Sequence, residues 1–346
     1  MTTPQIEPTL GDAELRYGCA ISVIVTSYYE ERSLREFHRR LKAVLESLQM
    51  SYEIVMVNDG STDGTWPLIL EIMREDPNVV AAVDFAKNSG QGAAITAGLN
   101  ETTGERVVLL DSDLQLAPEE LPKLIEIYDQ GHYDLVTGYR EDRKDSWSRK
   151  LPSLLANVIM RRASHTNMRD FGCTFKVYNA DVVRAFGYGP QKMFHNTEVI
   201  ARLSRYAEVP VSHAPRRYGK SGWTFRKLYR ANLDNVVAMS DRPFQVVAAA
   251  CLIVALLFIV RVALAYFTPF KLLPQITNGL LLNAIVIAFL IETALICAVG
   301  EFAIRNFAFA RKLPIYVVRE RWRRRNGVPV RVRPLVAGTN MADQKD

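Results

Sequence analysis

Cysteine and histidine are scarce in this 346-residue sequence. The four cysteines, at positions 19, 173, 251 and 297, form no Cys-x-x-Cys pair, and the five histidines are not clustered. Disulfide-held small domains and zinc modules both need closely spaced residues of these types. The sequence therefore excludes a disulfide scaffold and a zinc module, and it fits a reducing compartment.

The sequence also lacks an apolar leader and a basic body. Its first seventeen residues are polar and acidic, so no signal peptide is predicted. The net charge is +6, but the residues from Phe302 onward hold eleven Lys or Arg against three Asp or Glu, which leaves about −2 for the rest of the chain. We therefore expect no nucleic-acid partner. Apolar residues make up 49% of the sequence and charged residues 23%, which excludes wholesale disorder.

Two long apolar runs cover about 244–267 and 280–300. Each corresponds to about 30 Å of helix, enough to cross the hydrocarbon core of a bilayer. We predict two transmembrane helices; the alternative is a buried helical hairpin in a soluble core. Arg261 is expected near an interface. Glu292 is expected to pair within a bundle or at an oligomer interface, or alternatively to line a substrate path.

The basic residues flank both runs, whereas the connecting loop 268–278 holds only Lys271. The positive-inside rule then predicts a multi-pass protein of the inner (plasma) membrane with both termini and the catalytic domain in the cytoplasm. The predicted divisions are a polar N-terminal tail (1–18), a catalytic domain (19–230), a membrane domain (231–305) and a basic tail (306–346). For the arginine-rich stretch 319–325, contact with anionic lipid headgroups is favoured over nucleic acid.

The N-terminal part alternates short apolar runs with helical stretches, which predicts a mostly parallel α/β sheet. The predicted strands are 21–26, 53–58, 79–84, 106–110 and 133–137. The predicted helices are 31–48, 65–75, 91–101 and 118–130. Such sheets bind ligands at the carboxyl ends of their strands.

Carboxylates recur at these predicted strand ends, at Glu30, Asp59, Asp111 and Asp113. Like charges crowded at one edge need a cation or a donor-rich ligand. Asp111, Asp113 and Gln115 offer hard oxygen ligands that suit Mg²⁺ or Mn²⁺ rather than zinc. A lone Asp-x-Asp is also common in turns, but similar polar residues at the other three strand ends, including Lys87-Asn88 after the third, favour a functional site.

The order of motifs resembles family 2 glycosyltransferases of the GT-A fold. The matching segments are Tyr28-x-Glu30, Asn58-Asp59-Gly60-Ser61-x-Asp63, Asn88-x-Gly90-Gln91 and Leu110-Asp-Ser-Asp-Leu-Gln115. With the two apolar runs behind them, they resemble the polyisoprenyl-phosphate group, which includes dolichol-phosphate mannose synthase and bacterial undecaprenyl-phosphate glucosyl- and 4-deoxy-4-formamido-arabinosyl transferases. The resemblance covers about 20–305, and the stretch 145–150 is especially similar to the arabinosyl transferases.

The resemblance implies roles for individual residues on the donor side. The nucleotide would be held by Tyr28, Glu30, Asp59, Asn88 and Asp111. A bound Mg²⁺ or Mn²⁺ that bridges the diphosphate would be ligated by Asp113 and Gln115. The residues implied to act directly in catalysis are Asp111, Asp113, Arg140 and Arg149.

On the acceptor side, the resemblance and the basic loop before the first apolar run imply a phosphate site. Its members would be Arg143, Lys176, Arg217, Lys220 and Ser221, although the basic loop could instead be a solvated turn. Glu198 is expected to hydrogen-bond the sugar, or otherwise to cap or pair locally. Stretch 146–160 is either an interfacial helix or a core-packed one. The chain departs from the family pattern at Tyr29 (usually Asn), Thr26 (usually Pro) and Lys176 (commonly Arg).

These features predict a metal-dependent glycosyltransferase that moves one sugar from a nucleotide-sugar, with UDP favoured, to a polyisoprenyl phosphate such as undecaprenyl phosphate. The expected partners are therefore the donor, the lipid phosphate, the bilayer and further copies of the chain in a homo-oligomer. A processive polysaccharide synthase is less favoured because two spans cannot readily enclose a growing glycan. A non-catalytic, membrane-anchored nucleotide-sugar-binding protein is less favoured because Asp111, Asp113 and Gln115 are all present.

Overall fold

A computed structural model describes residues 17–140, 161, 166–189, 191–215 and 314–333, together with some of the positions between 284 and 306. The chain divides into two compact units. One unit comprises Met1–Met239 with Pro314–Asp346, and the other comprises Ser240–Leu313.

The first unit alternates strands and helices, as the apolar pattern predicts. Its strands are β1 (Ile21–Ser27), β2 (Tyr52–Asn58), β3 (Val79–Phe85), β4 (Arg106–Asp111), β5 (Leu135–Arg140), β6 (Lys176–Asn179), β7 (Tyr206–Val211), β8 (Val318–Arg325) and β9 (Val328–Val332). Its α-helices are α1 (Leu34–Ser47), α2 (Thr65–Glu75), α3 (Gln91–Leu99), α4 (Leu121–Gly131), α5 (Ala180–Ala185) and α6 (Asn196–Ile200), and a 3₁₀ turn (Pro118–Glu120) precedes α4.

The strands form one sheet in the order β7-β5-β6-β4-β1-β2-β3-β8-β9. Strands β4, β1, β2 and β3 run parallel to one another. The prediction of a mostly parallel α/β sheet is therefore confirmed for the part that carries the candidate site. Strand β5 starts two residues later than predicted, and it pairs with β6 antiparallel and with β7 parallel.

The central strands are apolar on both faces because helices cover both faces of the sheet. In β2, Ile54 and Met56 belong to one buried cluster with α1, whereas Val55 and Val57 belong to another with α3. Alternate side chains of a strand point to opposite faces, so a strand buried on both sides needs an unbroken apolar run. That run is what makes these strands recognisable in the sequence.

Helix α3 lies close to the sheet because it is built from small residues. A Cβ placed on Gly98 would overlap the Cγ2 methyl of Ile24 in β1. We expect Gly98→Ala to lower the free energy of unfolding by about 1–2 kcal/mol, because overpacking outweighs the gain in helix propensity. Thermal unfolding of this variant and of Gly189→Ala measures the effect. The added Cβ of Gly189→Ala would meet no atom within 4 Å, so equal melting temperatures for the two variants would contradict the close packing.

Residues 318–332, which fall in the predicted basic tail, form a β8–β9 hairpin that pairs antiparallel with β3. The Arg321 guanidinium donates to the buried carboxylate of Glu101 at 2.7 Å, and Arg323 forms an ion pair with the same carboxylate at 2.6 Å. Arg324 donates to main-chain carbonyls at the end of α2 and beyond it, including that of Asp76 at 3.0 Å. Arg321 and Arg324 thus have partners within the fold, and the contact of stretch 319–325 with lipid headgroups stays a prediction.

The second unit contains the predicted spans. Span 244–267 lies outside the described residues, and span 280–300 is described only in part, at positions that are helical. Within the part of the chain that the structure describes, no helix combines the length and the apolar character needed to cross a bilayer.

Candidate active site

The carboxyl ends of β1 to β4 lie along one edge of the sheet, as predicted. Register places Thr26 beside Asp111 and Ser27 beside Asn58. The contact is direct at β4, where the Thr26 hydroxyl donates to Asp111 Oδ1 at 2.5 Å. Because the strands are parallel, the segments at their ends form one polar surface, called the ledge below. It consists of residues 28–30, 58–61, 87–90 and 111–115.

Asp111 is held by two side chains. Besides Thr26, the Gln91 amide Nε2 lies 2.7 Å from Oδ1 and 2.9 Å from Oδ2 of Asp111. Gln91 is the first residue of α3, so the start of that helix is tied to the end of β4. Thr26, which departs from the usual family residue, has a clear use here as a donor to this carboxylate.

Asp113 and Gln115 lie on the more exposed side of the segment after β4. Both are partly exposed, whereas the alternating residues Ser112, Leu114 and Leu116 are buried. Asp113 Oδ1 accepts a hydrogen bond from the Gln115 main-chain N–H at 3.0 Å. Leu114 between them has a φ of 59°, a left-handed conformation that closes the turn.

The donor set of this turn suits a hard cation. Within the described residues, no group of three or more His, Cys, Asp or Glu side chains is arranged to hold a metal ion. Mg²⁺ and similar ions, however, are commonly bound by one or two carboxylates together with substrate phosphates and water. The partly exposed carboxylate of Asp113, with the amide of Gln115 beside it, fits that requirement.

Asp59 organises the loop that follows β3. Its carboxylate accepts hydrogen bonds from Asn88 Nδ2 at 2.9 Å, Ser89 N at 2.7 Å and Gly90 N at 3.0 Å. Gly60 is required here, because its φ is 72° and a Cβ would overlap the Lys87 main chain. The structure thus brings the predicted nucleotide residues Asp59 and Asn88 together.

Two exposed tyrosines follow β1. Tyr28 is 36% exposed and Tyr29 is 46% exposed, and their rings contact edge to face with centroids 4.5 Å apart. Tyr29 has a φ of 58°. Its N–H donates to the Ser61 hydroxyl at 3.0 Å, and its phenol pairs with Thr62 at 2.9 Å. Partial burial raises the pKa of Tyr28. Tyr29 was not among the predicted site residues, although an aromatic pair directly after a strand was a readable signal.

Glu30 is buried beneath this pair and is 4% exposed. Its carboxylate accepts a hydrogen bond from the Ser33 hydroxyl at 2.5 Å, and its N–H donates to Thr65 at 3.0 Å. These contacts connect the β1 exit to the starts of α1 and α2. Glu30 therefore has a structural role in joining these segments. Its direct contact with the ribose stays a prediction.

Arg140, at the end of β5, makes a two-pronged ion pair with Asp170. Its Nε lies 2.7 Å from Asp170 Oδ2, and its Nη2 lies 2.9 Å from Oδ1. Such a fork fixes the plane of the guanidinium. The predicted phosphate contact of Arg140 would have to use the remaining N–H groups.

Lys176 requires a correction. The predicted acceptor-phosphate residue is 1% exposed within β6, where its ammonium donates to the Thr137 hydroxyl at 2.9 Å and to the Cys173 carbonyl. Burial lowers the pKa of Lys176. The structure therefore places this ammonium in the interior and out of reach of an acceptor phosphate. No local pattern indicated this burial, because lysine is rarely fully buried.

Glu198 lies in the short helix α6, and its side chain is 16% exposed. Its carboxylate is 3.8 Å from Arg202, one helical turn further on, and the Arg202 guanidinium also donates to the Glu198 carbonyl at 3.0 Å. The local pairing that was the alternative for Glu198 is therefore present. Its contact with sugar stays a prediction.

Several predicted site residues lie outside the described part of the chain. They are Arg143, Arg149, Arg217, Lys220 and Ser221. The stretch 146–160, predicted to be either interfacial or core-packed, also lies outside it.

Known proteins match this chain over most of its length. Residues 22–187 match the glycosyl transferase family 2 domain. The chain is 37% identical over 238 residues to the undecaprenyl-phosphate 4-deoxy-4-formamido-L-arabinose transferase of Edwardsiella ictaluri (strain 93-146), which covers 68% of this chain and 73% of that protein.

Solved structures give weaker matches. Glucosyl-3-phosphoglycerate synthase from Mycobacterium tuberculosis, in complex with Mn²⁺ and UDP-glucose, has a TM-score of 0.49 and 17% identity over 68% of this chain and 83% of that one. The S. aureus protein TarS, in complex with UDP-GlcNAc, has a TM-score of 0.46 and 19% identity over 64% of this chain and 66% of that one. At these scores, the fold assignment rests on the strand order and on the family match.

The parallel strands, the carboxylate ledge and the family match together define a glycosyltransferase with a GT-A-like α/β sheet, and the chain belongs to glycosyl transferase family 2. Within that family, the resemblance to the polyisoprenyl-phosphate group is confirmed by the 37% identity with the Edwardsiella relative.

Proposed function

We propose that this protein is a membrane-bound enzyme that transfers a single sugar from a UDP-linked donor to a polyisoprenyl phosphate, with undecaprenyl phosphate as the natural choice. The observation that carries the proposal is the ledge at the end of β4, where Gln91 and Thr26 orient Asp111 and the turn presents Asp113 and Gln115. The Edwardsiella relative's name supports the lipid acceptor.

The donor nucleotide binds along the ledge in this proposal. Tyr28 and Tyr29 form an exposed aromatic pair whose ring faces could receive the base, since aromatic side chains commonly stack on bases. Asp59 holds the loop 88–90 and with it the start of α3. Asp111 lies between the nucleotide side and the diphosphate side of the ledge.

The diphosphate leaves from the side of Asp113 and Gln115. Asp113 and Gln115 would hold a divalent ion there, Mg²⁺ or Mn²⁺, which would supply positive charge opposite the leaving diphosphate. Asp113 supplies the carboxylate, and its turn is already closed by the hydrogen bond to Gln115 N–H. Gln91 and Thr26 hold the Asp111 carboxylate in a fixed orientation beside this turn.

The acceptor needs little help from a general base. A phosphate monoester has a second pKa of about 6, so the attacking oxygen of the lipid phosphate is already ionised at neutral pH. Positioning and removal of water then supply most of the catalytic effect. We assign the positioning to Arg143, Arg149, Arg217, Lys220 and Ser221, and we exclude Lys176 because it is buried.

The bilayer anchor is part of the proposal. Ile285, Phe289 and Ile296 are each more than half exposed, and their spacing of four and seven residues places them on one face of a helix. This face also carries the exposed Glu292, but its other described side chains are apolar and suit contact with lipid. Together with the basic flanks, it supports two spans with the catalytic domain on the cytoplasmic face of the inner membrane.

Incubation of the purified protein with undecaprenyl phosphate and a panel of radiolabelled nucleotide-sugars tests the proposal. We expect one donor to give a chloroform-soluble labelled product, and EDTA to abolish its formation. A water-soluble polymer would contradict the single transfer and favour a polysaccharide synthase. Nucleotide binding without any product would favour a non-catalytic binding protein.

Replacement of Lys176 tests the correction made for the acceptor site. We expect Lys176→Met to leave the KM for the lipid phosphate within about twofold of wild type, because the ammonium is enclosed by β5 and β6. Lys220→Gln, by contrast, should raise that KM about tenfold, the effect of losing one charged hydrogen bond. A tenfold rise for a folded Lys176→Met would show that the side chain reaches the acceptor after all.

A further inference from the structure

Asp84 is a carboxylate buried in the middle of the sheet. It lies next to the end of β3 and is 0% exposed. Its Oδ1 accepts a hydrogen bond from Asn58 Nδ2 at 2.7 Å. Its Oδ2 accepts none from the described residues, and it lies 3.4 Å from Nη1 of Arg319. A buried carboxylate needs a compensating cation, since its desolvation is costly.

Arg319, near the start of β8, supplies that compensation. Its Nη2 donates to the Ala86 carbonyl at 3.0 Å, just beyond the end of β3, so the guanidinium is fixed relative to Asp84. Burial raises the pKa of Asp84, and Glu320, which lies opposite in the strand register, raises it further, whereas Asn58 and Arg319 act in the other direction. The ionised state of Asp84 therefore depends on β8.

An ionised Asp84 also sets the orientation of Asn58. A carboxylate only accepts hydrogen bonds, so the Asn58 amide must present its Nδ2 to Asp84 and its Oδ1 to the other side. On that side, the Ser61 hydroxyl donates to Asn58 Oδ1 at 2.5 Å. The Ser61 oxygen in turn accepts the Tyr29 N–H at 3.0 Å. An unbroken polar chain thus connects Arg319 to Tyr29.

The end of this chain is a conformation that needs support. A left-handed φ in a residue other than glycine costs about 1–2 kcal/mol, and Tyr29 adopts one, with a φ of 58°. The hydrogen bond from its N–H to Ser61 helps to hold this conformation. The conformation in turn sets the edge-to-face contact of Tyr28 and Tyr29.

We propose that Arg319 and Asp84 are positioning residues for the donor site, acting through Asn58 and Ser61 on the tyrosine pair that receives the nucleotide base. This inference rests on the proposed function for the identity of the ligand. The polar chain ends at Tyr29, whereas the metal-binding turn follows β4. Loss of the chain therefore weakens nucleotide binding and leaves the chemical step intact.

Binding of UDP and steady-state kinetics of the full-length protein test this proposal. We expect Arg319→Met and Asp84→Asn each to raise the Kd for UDP and the donor KM about tenfold, with kcat within about twofold of wild type. Arg319→Lys should recover part of the loss because it keeps the charge. In the double variant Arg319→Met, Asp84→Asn, the rise in Kd for UDP should be smaller than the product of the two single rises. The neutral amide at position 84 needs no cation, so the loss of Arg319 then costs less.

Arg325→Gln is the matched control. It removes an exposed arginine at the far end of β8, in the same hairpin, and should leave UDP binding unchanged. Unchanged UDP affinity in folded Arg319→Met and Asp84→Asn would overturn the proposal, as would a loss of kcat without a change in KM. If both variants unfold, two further single variants decide the question. A wild-type Kd for UDP in folded Arg319→Lys and also in folded Ser61→Ala would overturn the proposal.

The two proposals fail in different ways. Wild-type protein that binds UDP but forms no lipid product refutes the proposed function, while the variants still measure the polar chain through their UDP affinity. Wild-type protein that forms lipid product with unaffected variants refutes only the polar chain. Wild-type protein that does not bind UDP contradicts both.

Discussion

Asp113→Asn is expected to lower kcat by about a hundredfold to a thousandfold while the protein stays folded, the loss typical of removing one group that stabilises developing charge. The amide keeps an oxygen that can accept the Gln115 N–H, so the turn after β4 can close as in the wild type. It removes the negative charge that would hold a divalent cation against the diphosphate. Turnover at a range of Mg²⁺ and Mn²⁺ concentrations measures the effect, and higher metal concentrations should restore part of the activity.

Asp129→Asn is the matched control for this substitution. Asp129 is an exposed carboxylate in α4 that pairs with Arg106 at 2.8 Å, and its replacement should leave turnover unchanged. Normal, EDTA-sensitive turnover by Asp113→Asn would show that the metal is held elsewhere. A melting temperature equal to that of wild type confirms that any loss is chemical.

Glu101→Gln is expected to lower the free energy of unfolding by about 3–5 kcal/mol, the range for breaking a buried ion pair on one side. The Glu101 side chain is 1% exposed and Arg321 is 4% exposed, with Nε and Oε1 2.7 Å apart. The substitution leaves the Arg321 guanidinium buried without its carboxylate and loosens Arg323 as well. The hairpin β8–β9 should separate from β3 first. Thermal unfolding measures the loss of stability, and hydrogen exchange of the hairpin amides measures the separation.

Arg205→Gln provides the comparison for an exposed pair. Arg205 bonds Asp134 at 2.8 Å near the opposite edge of the sheet, and its side chain is 63% exposed. Surface pairs contribute little to stability, so no measurable change in melting temperature is expected. Equal stability of Glu101→Gln and Arg205→Gln would contradict the assignment of Arg321 as an interior, paired residue.

The sequence predicted the central sheet well because its signals are local. Each of β1 to β4 is a mostly apolar run bounded by polar turn residues, and the helices between them begin and end close to the predicted positions. The polar ends of parallel strands must meet at one edge, so the convergence of Asp59 and Asp111 followed from chain order alone.

The hairpin β8–β9 was not predicted because its determinants are distant in the sequence. Arg321 and Arg323 belong to the stretch for which contact with lipid headgroups was predicted, and the structure instead pairs both with Glu101, 220 residues before Arg321. Trp322, packed against the apolar cluster beneath β2, was a single apolar signal within a run of charge. Pairing with β3 then extends the sheet by two strands.

In the candidate site, too, local signals could be read from the sequence, whereas contacts between distant residues could not. Asp111, Asp113 and Gln115 could be recognised because they follow one strand directly. Arg140 pairs with Asp170, thirty residues away, and Lys176 is buried. Both facts depend on how β5 and β6 pair, which the sequence pattern does not show. A sequence pattern identifies residue types at strand ends, but it does not show which charges already have partners.

The mass of the lipid product tests the central claim most directly. Purified protein, undecaprenyl phosphate, the preferred UDP-sugar and Mg²⁺ should give one new lipid whose mass exceeds that of the acceptor by a single sugar residue. The same reaction with Asp113→Asn should leave the acceptor unchanged. A ladder of masses, or an unmodified lipid beside released UDP and free sugar, would contradict single transfer to the lipid phosphate by this site.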